Sequence, residues 1–396
     1  MNTDSEKAQS SQGDPVLTQF LREKLREISQ HQRELHRAKS KDALRFGLGE
    51  INKKVEEINN LTVKDVEGLI TRIKRRKHAS VEEMYQLSHA FLQSMDHIKL
   101  FAKVPGILHI IVKELTGIDS GRQIGAVECL CNLSLGEAPV CEKITNTAGS
   151  YLVTYLDSLD DRLKRTSLWT IANTVSTSQK AAQTIVQMEI IPKLWDLYVD
   201  DSGDTDPTND FREDAAICLQ LLVASNNRVL RAQDLLFIKE HMCKKKRSSL
   251  AGEYHLQLLF HTEVVNPMMD LTMEQTIYLV EFTLDNLCTT EDFISNSNRL
   301  RILYGVRLLA NMLVGQPHTL GVLIQQIRDA WNTNLEDILN RIFEFEEKEL
   351  TLETIYLLRH LVPQQEVVGQ TLPCQLENLR IPKFDGYDEL LRKCQG

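Results

Sequence analysis

The sequence predicts an all-α solenoid of stacked helical repeats, and three observations carry that expectation. First, Ala126-Val-Glu-Cys-Leu-Cys-Asn132-Leu-Ser and Ser167-Leu-Trp169-Thr-Ile-Ala-Asn173-Thr-Val set an asparagine at the same point of an apolar helical pattern, 41 residues apart. A period of that size marks units that cannot bury their apolar faces alone and must stack on one another. Second, amphipathic helical patterns follow one another almost without pause from about Val63. Third, only 6% of the 396 residues are aromatic, and the 18 glycines and 10 prolines fall mostly between apolar stretches. That composition suits helix packing by Leu, Ile and Ala better than a β-sandwich.

The elements follow in chain order. Residues 1–15 are small and polar, a composition that predicts disorder. From Val16 to Ile58 the chain is charge-rich and helical in pattern. Between residues 20 and 46, Arg22, Lys24, Arg26, Arg33, Arg37, Lys39, Lys41 and Arg45 outnumber Glu23, Glu27, Glu34 and Asp42. Leu21, Leu25, Ile28 and Leu35 form an apolar stripe too narrow to anchor in a core, and Gly47 and Gly49 break the helix. Such a segment is either a solvated or coiled-coil helix or a basic arm that docks on a partner.

Asp65–Lys74 and Val81–Met95 then form a first pair, and Pro105–Leu115 with Ser120–Leu135 a unit. Further helices are expected at Arg162–Thr177, Arg212–Ala224, Gln275–Cys288, Arg299–Leu313 and Leu350–Leu361. Val104-Pro105, Ile191-Pro192 and Val265-Asn-Pro267 each place a proline where a helix opens, at the turn in which its missing N–H costs nothing. Residues 199–210 (VDDSGDTDPTND) are an acidic inserted loop, and residues 225–290 resist phasing. Residues 363–396, with Pro363, Pro373 and Pro382, read as a C-terminal cap or tail. The domain plan is therefore a disordered 1–15, a basic arm at 16–60, a solenoid at 61–362 and a tail.

Charge and cysteine usage narrow the function. A net charge of −9 argues against nucleic acid as the principal partner. The eight cysteines lack paired metal spacing, and most lie among Leu, Val and Ile as small hydrophobes do in reducing compartments. The start of the chain has no apolar signal core, and no stretch approaches 18 uninterrupted apolar residues, so neither secretion nor a membrane span is expected. No Gly-rich phosphate loop, zinc-binding histidine pair or Gly-x-Ser-x-Gly elbow is present, so neither enzyme chemistry nor a cofactor or metal is expected.

The 41-residue period, the Ile-Pro phrase and the Trp-x-x-x-Asn of Trp169 and Asn173 resemble armadillo repeats, and importin-α among them. That resemblance implies a right-handed superhelical solenoid whose Trp and Asn side chains line a concave groove. The asparagine amides would bond the backbone of an extended cargo peptide, and the tryptophans would flank the stems of its lysines. Residues four apart share a helix face, a carboxamide both donates and accepts, and an indole attracts cations at about 0.5–1 kcal/mol when exposed.

Trp169 with Asn173 is the complete pair. Asn132 and Asn311 keep the amide with Glu128 and Arg307 in the tryptophan position, and Tyr356 with His360 makes a softer version. Glu34-Leu35-His-Arg37-Ala38-Lys39-Ser-Lys41-Asp42 resembles the core of the importin-β-binding domain, which implies a transport receptor as partner of the arm. Ser150-Tyr151-Leu-Val-Thr154-Tyr155-Leu156 is similar to the transmembrane and coiled-coil domain-containing protein 6 family, which also joins a basic arm to armadillo repeats.

The resemblance thus implies an importin-α-like adaptor in the cytoplasm and nucleus, with a non-transport scaffold as the alternative and oligomeric state left open. Individual residues stay open to two readings. Trp169 suits a core or a groove, with the repeat register favouring the groove. Asn132 suits a groove or a tie to the backbone of the adjacent repeat. Arg307 is expected to repel a cationic cargo from the C-terminal half. The acidic loop at Asp200–Asp210 lacks the closing glutamate of a calcium loop. Lys244–Arg247 and Lys74–Lys77 are either localisation signals or helix-end charges.

Overall fold

The computed structural model describes residues 61–199, 211–224, 229–242, 252–265, 271–288, 296–315, 319–327, 335–368 and 378–382. The basic arm, the acidic loop, Pro267, Lys244–Arg247 and most of the C-terminal tail lie outside the described residues. Every regular element described is a helix. The chain divides into two compact units, the described residues up to Ile238 and those from Lys239.

The first unit holds α1 (Val63–Arg76), α2 (Val81–Gln93), α3 (Met95–Lys103), α4 (Ile107–Lys113), a 3-10 turn at Glu114–Thr116, α5 (Ser120–Leu133), α6 (Ala138–Tyr155), α7 (Asp161–Thr177), α8 (Gln179–Val186), α9 (Ile190–Val199) and α10 (Arg212–Ala224). Helix α11 (Ala232–Met242) follows. Helices α2, α5, α7 and α10 pack consecutively on one another, with the other helices of the unit between them in the chain. That is the stacking order of three-helix repeats.

Local sequence sets these boundaries. Ser80, Asp119 and Asp160 are the N-caps of α2, α5 and α7, each accepting the backbone N–H three residues on, so these three stacking helices begin with the same device. Thr62 with Asp65 and Ser80 with Glu83 are full capping boxes. Lys74, Arg75 and Arg76 close α1, where cations suit the helix dipole. Pro192 sits in the first turn of α9, as its phrase predicts. Pro105 does not open a helix: α4 starts after Gly106, whose φ of 78° turns the chain first. In the unit between, α6 runs as one 18-residue helix from Pro139 in its first turn, where the neighbouring units use two.

The second unit holds α12 (Gly252–Val265), α13 (Met273–Cys288), α14 (Asn296–Gly315), α15 (Thr319–Gln326), α16 (Leu335–Phe343) and α17 (Lys348–Val368). Here α12, α14 and α17 stack in turn, the same pattern in the stretch that resisted phasing. Helix α17 continues through Pro363 to Val368, so the tail expected from residue 363 begins later. Proline's φ is helical and it removes one intrahelical bond, which need not end a helix packed along its earlier turns.

Candidate functional site

Repeat register is fixed by the N-caps. Ser88 and Val127 each stand eight residues after the cap of their helix, as does Leu168. Asn132 on α5 donates Nδ2 to the Ser88 backbone oxygen at 3.0 Å and to its hydroxyl at 2.8 Å. One stack further on, the Cys218 thiol donates to the Leu168 oxygen at 3.5 Å. Cys218 therefore holds on α10 the place that Asn132 and Asn173 hold on α5 and α7. Four residues before it, Asp214 holds the place of Trp169.

This column makes its own bonds from rung to rung. The Trp169 indole is half-buried, and its Nε1 donates to Asp214 Oδ1 at 3.0 Å. Arg165 Nε lies 3.4 Å from Asp214 Oδ2. Burial pushes the Asp214 carboxyl above the ordinary carboxylate range, against the pull of Trp169 and Arg165. Lys164 Nζ and the Arg165 guanidinium sit over the Phe211 ring at 4.8 and 4.9 Å. In the rung before, Arg162 from α7 donates Nε to Glu128 at 2.6 Å. A row of aromatic and acidic groups, already laced by basic side chains, thus crosses α5, α7 and α10.

The predicted amide ladder is not an exposed one. Asn132 is 1% exposed and is the inter-repeat tie that one reading of it foresaw. Asn173 is 0% exposed, and neither its Oδ1 nor its Nδ2 has a hydrogen-bond partner. The position that Ser88 holds relative to its N-cap is held on α5 by Val127, whose side chain has no hydroxyl to offer an amide of the next repeat. Ser88 was the sequence signal for the tie, and Asp214 and Cys218 were the rungs that sequence reading missed.

In the second unit the column is also closed. Arg307, in the tryptophan position of α14, is 2% exposed, so it meets no cargo in this structure. It donates Nη2 to Glu349 at 2.7 Å and Nε to Glu353, both on α17, and lies over the rings of Phe260 and Tyr304 at 5.4 and 5.1 Å. Burial opposes its charge, but Glu353, Tyr304 and Glu349 outweigh that and hold its pKa above the ordinary value. Tyr356 is 4% exposed and stacks edge-on against His360 with centroids 4.6 Å apart. Its ring is core, not groove lining. Asn311 and His360 are half-buried. Of the six predicted groove residues, the structure leaves Trp169 as the aromatic that reaches solvent and Asn173 as the amide with no partner.

Among the described residues no cluster of three His, Cys, Asp or Glu side chains is placed to hold a metal ion, and no helix is long and apolar enough to cross a membrane. Burial pushes the Cys131 thiol up to about 12 and those of Cys129 and Cys218 higher still, which keeps them protonated.

No protein-family model matches the sequence, and no curated protein is significantly similar to it. Solved structures do resemble it. An engineered protein matches 75% of this chain over 68% of its own, at 17% identity and a TM-score of 0.55. A designed armadillo repeat protein matches 74% of this chain over 99% of its own, at 16% identity and a TM-score of 0.41. A second, in complex with the peptide (KR)4, matches 71% over 92%, at 17% identity and a TM-score of 0.38. At these identities the likeness is one of fold. With the stacking order of α2, α5, α7 and α10, the described chain is an all-α solenoid of helical repeats.

Proposed function

We propose that this protein is a peptide-binding adaptor of importin-α type, whose α5–α7–α10 face receives an extended segment of a partner around Trp169. Its N-terminal segment, about residues 20–46, engages an importin-β-type receptor, and the protein works in nuclear import between cytoplasm and nucleus. The observation that carries the reading is the Trp169 indole, which reaches solvent beside the Asp214 carboxylate, an aromatic and acidic pair that suits a lysine or arginine. A lysine or arginine of the partner would compete with Arg165 for Asp214 and lie against the indole face. Likeness to a designed armadillo protein solved with a (KR)4 peptide agrees with a protein partner. Binding, not catalysis, is the activity this surface suits.

The test is isothermal titration calorimetry with lysine-rich and lysine-free peptides. The proposal expects saturable binding of the basic peptide that is abolished by the pair Trp169→Ala and Asn173→Ala, with helical circular dichroism retained. Undiminished binding by that variant sinks the groove. Deleting residues 1–50 should abolish receptor binding and nuclear entry.

A second reading, a scaffold without a transport role, is favoured by the closed rungs. Glu128 is held by Arg162, and Arg307 by two glutamates, so most of the column has no site left for cargo. An unchanged location and partner set after the deletion selects it.

A further inference from the structure

In the second unit a single side chain holds a piece of the C-terminal tail against the solenoid. Asn340, in the last turn of α16, donates Nδ2 to the Asn378 backbone oxygen at 3.2 Å. Its Oδ1 accepts the Arg380 backbone N–H at 2.7 Å. Only one orientation of the carboxamide makes both bonds. A C=O and the N–H two residues on are the pair that a parallel β-strand offers its neighbour, and residues 379–382 belong to no helix. Asn340 thus does the work of a neighbouring strand. Both bonds go to backbone, so they do not read the side chains of the segment they hold.

The platform is firmer than its occupant. Helix α16 packs on α17, and Arg341 donates Nη1 to the Cys288 oxygen at the end of α13 at 3.4 Å. Both bonds of Asn340, by contrast, are open to solvent. Arg380 meets Glu344 at 3.8 Å with both side chains mostly exposed, and an exposed ion pair holds weakly. The charge around the amide has one sign. Glu336 and Asp337 stand one turn before Asn340 and Glu344 one turn after, so three carboxylates share its side of the helix. Arg341, the cation within α16, is the one bonded to Cys288.

We propose that this side of α16 is a docking site for a basic, non-helical segment of another protein, which residues 378–380 occupy as a displaceable internal ligand. Asn340 takes the backbone of the incoming segment, and Glu344 takes an arginine or lysine in the place of Arg380. Apolar residues flank that cation, as Leu379 and Ile381 flank Arg380. The site lies in the second unit and does not rest on the reading of the α5–α7–α10 face.

The test uses the full-length chain and a fluorescein-labelled peptide, Asn-Leu-Arg-Ile-Pro, followed by fluorescence anisotropy. Arg380→Pro removes both the N–H that Asn340 accepts and the cation that Glu344 meets. It should release the internal ligand and tighten peptide binding about tenfold over the parent chain. Adding Asn340→Leu to that variant should abolish binding. Adding Glu344→Lys instead, at a mostly exposed position, should weaken the arginine peptide about threefold and favour Asn-Leu-Glu-Ile-Pro. A reversed charge preference cannot come from loss of fold. Equal affinity of the parent and Arg380→Pro, no binding by either, or binding that survives Asn340→Leu would each overturn the proposal. An unchanged preference for arginine in Glu344→Lys would overturn it as well.

Discussion

Asn132 of α5 and Ser88 of α2 lock two successive repeats, the amide bridging the serine's backbone oxygen and hydroxyl at 3.0 and 2.8 Å. Asn173 takes the same position on α7 and has neither bond. The two asparagines should therefore respond in opposite directions to the same substitution. Asn132→Leu removes the Nδ2 donor of both inter-repeat bonds and should cost about 1–2 kcal/mol, whereas Asn173→Leu removes an amide with neither atom bonded and should be neutral or stabilising by about 1 kcal/mol. Urea denaturation of the two variants checks this. Equal losses would mean that Asn173 has a partner in solution.

Arg307 makes a larger prediction. It is buried with Glu349 and Glu353, and truncating one member of such a group strands the others away from water. Arg307→Met should destabilise the second unit by about 3–5 kcal/mol, and adding Glu349→Gln and Glu353→Leu should recover most of the loss. Differential scanning calorimetry of the single and triple variants separates a pairing role from simple loss of volume. A triple variant no better than the single would count against it.

The stacking pattern was legible in the sequence because it rests on periodicity, and helices such as Arg212–Ala224 have the boundaries expected of them. The direction in which a rung faces was not. Asn132 and Asn173 share a position in the repeat, but the Ser88 carbonyl and hydroxyl that hold Asn132 lie 44 residues before it in the chain. Arg307 read as a repulsive groove residue because its spacing marks the tryptophan position, but its environment is set by Glu349 and Glu353, more than 40 residues away in the chain. Long-range ion pairs of that kind leave no local pattern. The stretch 225–290 resisted phasing for a related reason: α12 buries His255, Gln257 and His261 among its leucines, so its sequence shows no apolar stripe although it packs on α14.

Gly136, between α5 and α6, marks a close approach. A Cβ there would lie 2.8 Å from Ile98 Cγ2, 3.1 Å from the Leu133 carbonyl oxygen and 3.2 Å from Val140 Cβ. Both hydrocarbon neighbours are β-branched, and the oxygen belongs to the backbone, so none can move aside freely. Gly136→Ala should cost about 1–3 kcal/mol through overpacking. Gly321→Ala, where nothing lies within 4 Å, should be tolerated. The melting temperatures of the two variants make the comparison.

His255 gives the second unit a pH dependence. It is 2% exposed and edge-on to Phe282 at 4.9 Å, and burial lowers its pKa from 6.5 to about 4, against a small opposing effect of the Met242 backbone. The unfolded chain therefore takes up a proton below about pH 6.5 that the folded chain refuses until about pH 4. Its contribution is constant above 6.5 and falls as the pH drops through that window, by about 3 kcal/mol at most. Glu349 and Glu353 bear on the same range, since burial raises both, so the parent profile alone does not isolate the histidine. The measurement is the difference in urea midpoint between the parent and His255→Phe at pH 7.5, 6, 5 and 4. That difference should shift steadily in favour of the phenylalanine variant as the pH falls, and parallel profiles would show that His255 is protonated in the folded protein.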